Sequence, residues 1–144
     1  MARLRIDLPG HFPFTTSLRV RVTDLNYGGH LGNDAALGLL HEARVRFLDS
    51  YGFSEQDAGG VGLIMADAGI VYRSEGFLGD ALTVEIAPSD LSRSGFDLLY
   101  RITNADSGAE VLRARTGMIF FDYGSRRIVR APESFTSRVF PQTL

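Results

Sequence analysis

Between Asp24 and Leu48 the chain reads DLNYGGHLGNDAALGLLHEARVRFL, a polar, glycine-rich turn that feeds straight into the only strongly helical stretch. This junction constrains everything else, because most of the chain beyond Leu48 is patterned as strand and one helix has to cover it. Ala36, Leu40, Ala43 and Phe47 recur at helical spacing, and Leu37, Leu39 and Leu48 widen the apolar stripe. Arg44, Arg46 and Asp49 mark the wetter side. The spacing predicts a helix from about Asp34 to Tyr51, stopped by Gly52. Asn33 or Asp34 is the expected N-cap, its side-chain oxygen accepting from a free first-turn amide. Polar side chains, flexible backbone and a helix N-terminus meet at one point, so any chemistry belongs there.

Residues 1–16 mix charges with Pro9, Gly10 and Pro13 and read as a lead-in. Leu18, Val20 and Val22 then alternate with Arg19, Arg21 and Thr23, the period of a half-buried strand. After a loop around Asp57–Gly60, four extended segments are expected near Leu63–Ser74, Ala81–Leu91, Phe96–Thr103 and Glu110–Phe121. Gly79-Asp80, Ser94-Gly95 and Asn104–Gly108 supply the turns, and such short connections predict antiparallel meanders. The tail from Arg126 to Leu144 reads as an irregular wrap. One strand, one long helix and four strands make an α+β chain, a single unit over residues 1–144 with the helix covering one sheet face. The open sheet edges call for a second copy, at least a homodimer.

The formal net charge of −2 supplies no basic field, which argues against nucleic acid or an anionic membrane as partner. With no cysteine, disulfides, thiolate zinc sites and cysteine nucleophiles are excluded. No signal peptide is visible and no run approaches the roughly 20 apolar residues of a membrane span, so a cytoplasmic protein is expected.

These elements, in this order, resemble the hotdog-fold thioesterases, in particular the 4-hydroxybenzoyl-CoA thioesterase-like branch. The resemblance is carried by Asp24-Leu-Asn26, Gly29-His30-Leu-Gly-Asn33 and Glu42-Ala-Arg44. Tyr72-Arg-Ser-Glu75, Gly79-Asp80-Ala-Leu82, Ser94-Gly-Phe96 and Pro132-Glu133 extend it, so that it covers roughly Ser17 to Glu133. It implies a curved antiparallel sheet wrapped around one long central helix. It also implies homodimers or homotetramers whose sheets join edge to edge, and active sites shared between chains. The implied activity is hydrolysis of a small-molecule acyl-CoA thioester without metal or cofactor, coenzyme A arriving as part of the substrate. One departure matters: where one branch of the family carries Asp-x-Asp and uses the second aspartate as nucleophile or base, this chain has Asn26, and an amide cannot be a general base.

The catalytic candidates are Asp24, Asn26, His30, Asn33 and Asp67, each set against a plain structural role. The Gly28–Asn33 turn offers backbone amides near a helix N-terminus, where negative charge is favoured; the glycines alternatively only permit a tight turn. Asp24 is a base or a turn carboxylate. Asn26 and Asn33 orient water or the thioester carbonyl, or satisfy local amides. His30 is a base or donor near neutral pH, or a structural histidine. Asp67 stands inside Ile64–Val71, an otherwise apolar strand where a buried carboxylate is costly without a partner, and so ranks beside Asp24 as the substitute for the missing aspartate. On the helix, His41 is expected exposed and Glu42 partly buried, or else paired with Arg46. Arg93, Arg126 and Arg127 are candidates for the coenzyme A phosphates. The rivals are a hotdog enoyl-CoA hydratase using Asp24 and His30 together, and a hotdog protein that binds acyl groups without turning them over.

Overall fold

The computed structural model describes residues 3–141. Strand β1 (Phe14–Arg19) leads through a short 3-10 turn (Val22–Asp24) to helix α1 (Asn33–Asp49). Strands β2 (Gly62–Tyr72), β3 (Ala81–Ser89), β4 (Gly95–Asn104), β5 (Glu110–Asp122) and β6 (Arg127–Ile128) follow, and helix α2 (Glu133–Val139) ends the described chain. The strands form one antiparallel sheet in the order β1-β3-β4-β5-β2, with β6 paired to the end of β5. Among the described residues, no helix is long and apolar enough to cross a membrane.

All four expected long strands are present, with ends within two residues of those read from the alternation. Their pairing is only partly a meander. β3, β4 and β5 follow one another, but β2 crosses the sheet to pair with β5 rather than β3. The first strand also sits earlier than expected, at Phe14–Arg19, so the supposed lead-in already contributes to the sheet. Val22, read as a strand residue, lies in the 3-10 turn and is largely exposed. The tail is not irregular: it contains β6 and α2, and Phe135 of α2 packs tilted on Phe96 and edge to face on Phe120, both at ring separations of 5.0 Å. Residues 142–144 of that tail lie outside the described residues.

The inner face of the sheet presents Phe96, Leu98, Tyr100 and Ile102 of β4 and Ala114, Thr116, Met118 and Phe120 of β5, all buried. α1 lays Ala36, Leu39, Leu40, Ala43, Phe47 and Leu48 into the same core, and Phe47 meets Phe14 of β1 edge to face at 5.6 Å. Leu37, counted in the stripe, is instead exposed, and Arg44, assigned to the wetter side, is only 7% exposed. One helical step separates the two readings, because a stripe drawn on Leu37 is rotated from one drawn on Ala43 and Phe47. Arg44 tolerates burial because its guanidinium binds Glu55 and reaches the Tyr100 hydroxyl at 3.4 Å, which in turn lies 2.7 Å from Thr116 Oγ1. A charged chain thus runs through the helix–sheet contact with its polar atoms matched.

The turn that enters α1 is fixed by Asp24. Its carboxylate accepts from the Arg21 amide at 2.8 Å and from the Arg21 guanidinium at 3.1 Å, while its own carbonyl accepts from Gly32 N at 2.9 Å. The Arg21 hydrogen bonds hold the Asp24 carboxyl below its ordinary value.

Two outcomes are expected. Arg44→Ala leaves Glu55 and Tyr100 without the donor they share and should cost about 3 kcal/mol in urea unfolding, with Tyr100→Phe costing about 1–3 kcal/mol. For Asp24, a lowered folded-state value means that its stabilisation is complete above the ordinary carboxylate pKa of about 4 and is lost as pH falls through the lower folded value. The stability gap between the wild type and Asp24→Asn should therefore be open at pH 7 and close below about pH 4 in pH-stepped urea titrations.

Candidate active site

The glycine-rich turn is built on Asn26. Its side-chain Oδ1 accepts from Gly28 N at 2.9 Å and from His30 N at 3.5 Å, and its backbone exchanges bonds with His30 and Gly29. Gly29 takes φ +82, a conformation side chains disfavour. A Cβ on Gly28 would approach Asn26 Oδ1 at 3.2 Å and His30 Nε2 at 3.3 Å, so glycine lets the imidazole lie against the backbone. The segment after the turn is pinned by Leu31 N donating to Gly76 O at 2.7 Å and by a bridge between His30 and Phe77.

α1 starts differently from the expectation. Gly32 is the N-cap and Asn33 is already the first helical residue, so neither Asn33 nor Asp34 caps it, and among the described residues no side chain bonds the first-turn amides. Those amides remain available where the helix dipole favours negative charge.

Beside this start lies a cavity of about 260 Å³ lined by His30, Asn33, Tyr72, Arg73, Ser74 and Glu75, among others. The Tyr72 hydroxyl donates to Asn33 O at 2.9 Å, and burial with the nearby Asp34 charge raises its pKa. His30 Nε2 stands 3.8 Å from Glu75 Oε1, and its ring packs edge to face on Phe77. Arg73 and Ser74 are tied to Glu110, at 3.1 Å and 2.9 Å, which fixes the strand end that carries Glu75.

Of the predicted residues, the structure brings His30 and Asn33 to this cavity, with Asn26 beneath the turn. Asp24 is not available as a base: it is 4% exposed and spent on Arg21. That also removes the partner a hydratase would need beside His30. Asp67 is not buried. Met65 pairs with Met118 and Asp67 with Gly117, so a bulge at Ala66 shifts the phase of β2 by one residue. A strict alternation through Leu63 and Met65 would put Asp67 inside. The bulge turns it to the outer face, where Arg115 bridges it at 3.2 Å to Asp97 at 3.1 Å.

Glu42 takes the simpler of its two expected roles, pairing with Arg46 at 3.0 Å. His41 is half exposed, 3.2 Å from Glu55. Arg93 lines a separate cavity of about 550 Å³ with Arg130 and does not meet Arg126 or Arg127 there. Arg127 sits exposed on β6, and Arg126 precedes it at φ +56. Tyr72 and Glu75 were visible only as part of a motif. Nothing in their spacing tied them to His30, because the contact depends on the backbone bridge from His30 to Phe77. Among the described residues, no group of three or more His, Asp or Glu side chains is arranged to hold a metal ion.

The fold has counterparts among known proteins. Slr0204, a 1,4-dihydroxy-2-naphthoyl-CoA thioesterase from Synechocystis, is 24% identical over 91% of this chain and 98% of its own, with a TM-score of 0.81. SAV2348 from Staphylococcus aureus, solved in complex with CoA, is 22% identical over 95% of this chain and 87% of its own, with a TM-score of 0.81. A thioesterase from Thermus thermophilus, solved with coenzyme A and Zn, is 22% identical over 90% of this chain and 98% of its own, with a TM-score of 0.78. Among curated proteins none matches the chain. These structures share the hotdog fold with the chain, and the family model of the thioesterase-like superfamily matches residues 20–139. The chain belongs to the thioesterase-like superfamily.

Proposed function

We propose that the protein is an acyl-CoA thioesterase, hydrolysing a thioester to a free acid and coenzyme A. The observation that carries the reading is the uncapped start of α1 opening beside the cavity that holds His30 and Asn33. In this reading the first-turn amides donate to the developing oxyanion, a contact worth about 3 kcal/mol per donor in a known enzyme. Asn33 and Asn26 orient the carbonyl and the water. His30 takes the proton from the attacking water, since Asn26 cannot, Asp24 is occupied and Asp67 faces away. Collapse of the tetrahedral intermediate then expels the coenzyme A thiolate, which recovers that proton.

The same reading takes the chain as one hotdog unit, its sheet curled around α1, working in the cytoplasm without a cofactor of its own. Arg93 with Arg130, rather than with Arg126 and Arg127, is the better-placed pair for coenzyme A phosphates. A second copy pairs along β2, whose outer edge has no strand partner among the described residues and whose Met65, Ala66 and Ala68 are exposed. Pairing these edges gives a homodimer, and two such dimers a homotetramer.

Free-thiol release from a panel of aliphatic and aromatic acyl-CoAs tests the activity, and a chain without cysteine contributes no signal to a thiol-reactive dye. The wild type should turn over at least one class. His30→Ala should lower kcat by about 100-fold or more, while Asp67→Asn stays near wild type. Binding of acyl-CoA without thiol release would make the protein a carrier instead of an enzyme. For the assembly, Ala66→Lys places a charge on the β2 edge and should shift the sedimentation profile from dimer toward monomer. An unchanged profile would move the interface elsewhere.

A further inference from the structure

A second cavity, of about 550 Å³, opens between β1, α1 and the start of β3, and shares no lining residue with the His30 cavity. It is within the size range of small-molecule sites. Leu18, Leu39 and Ala81 make its apolar part, while Arg19, Arg21 and Arg46 line it against a single carboxylate, Glu42. Three guanidiniums on one concavity stand out in a chain whose formal net charge is −2.

Each of the three is anchored by the protein. Arg19 Nη1 donates to Gly79 O at 2.9 Å. Arg21 uses Nε and Nη2 on Asp24, both at 3.1 Å. Arg46 uses Nε on Glu42 at 3.0 Å, and Nη1 on Thr16 Oγ1 and Ser17 O at 2.9 Å. Arg19 Nη2, Arg21 Nη1 and Arg46 Nη2 keep donor capacity with no protein acceptor among the described residues. Anchored guanidiniums with spare planar donors lose little freedom on meeting a carboxylate or phosphate.

We infer that this cavity binds a small organic anion. Its carboxylate or phosphate head sits among the three guanidiniums, and its apolar body lies on Leu18, Leu39 and Ala81. The site goes beyond the thioesterase reading and does not rest on it. Because β1 and β2 are opposite edges of the sheet, it also stays open when a second copy pairs along β2.

The test is an amide NMR titration of the full chain at fixed salt, with octanoate and separately with phenyl phosphate, which distinguishes the two kinds of head group. Saturable shifts at Gly38 and Ala81 with either probe, weakened roughly tenfold or more in Arg19→Gln, are the expected result. Arg19 is the informative position because its one protein hydrogen bond is to the Gly79 carbonyl, whereas Arg46→Gln also loosens β1 from α1. No saturable shift with either probe, equal affinity in Arg19→Gln, or shifts centred on His30 and Gly76 would overturn the assignment.

Discussion

The buried arginine on α1 is the interaction on which the rest of the arrangement turns. A helix can slide or rotate on an apolar sheet at modest cost, because dispersion contacts are individually small and interchangeable. Arg44 removes that freedom. Its guanidinium has to meet Glu55 from the loop and the Tyr100 hydroxyl from β4, and Tyr100 has to meet Thr116 on β5. Any rotation of α1 that broke these bonds would leave charge and hydroxyls buried without partners, which costs far more than repacking a leucine. The angle of α1 fixes where its first turn points, so the position of the open amides beside His30 and Asn33 depends on a contact two to three helical turns away.

Much of this was legible in the chain. Strand positions came from alternation and turn residues, since side chains on β3, β4 and β5 face a core on one side and water on the other. What could not be read were features set by contacts between distant segments. Asp67 was misplaced because one bulge residue, Ala66, inverts the phase of everything after it, and an alanine among apolar neighbours leaves no trace of a bulge. Arg44 was misplaced because its counter-charge, Glu55, lies 11 positions away in a loop. Gly32 took the cap from Asn33 for a local reason: its amide is already bonded to the Asp24 carbonyl, which sets the chain's entry into the helix.

The candidate site shows the same division. His30 and Asn33 were readable because they belong to the turn and helix start themselves. Tyr72 and Glu75 reach the cavity only because β2 pairs with β5 and its exit is pulled across the turn by the Leu31–Gly76 and His30–Phe77 backbone contacts. Those bonds also explain the division of labour among the acidic groups. Asp24 supports the turn from below, held ionised by Arg21, and its burial makes it a good strut and a poor base. Glu75 is exposed beside the imidazole, its Oε1 3.8 Å from His30 Nε2.

Under the proposed pairing, the site and the assembly are one problem. β2 supplies Tyr72 to the cavity wall at its C-terminal end, and along the same strand its outer edge is unpaired among the described residues. A partner strand laid along that edge comes alongside the residues that precede Tyr72, and the bulge at Ala66 sets how far its register can slip. The outer-face bridge from Asp67 through Arg115 to Asp97 then acquires a reason: it ties β2, β5 and β4 together at the bulge, where a strand with an unpaired edge would otherwise be easiest to deform. The carboxylate that looked like a substitute catalytic base thus has the contacts of an outer-face ion pair, aimed at Arg115 and away from the cavity that holds His30.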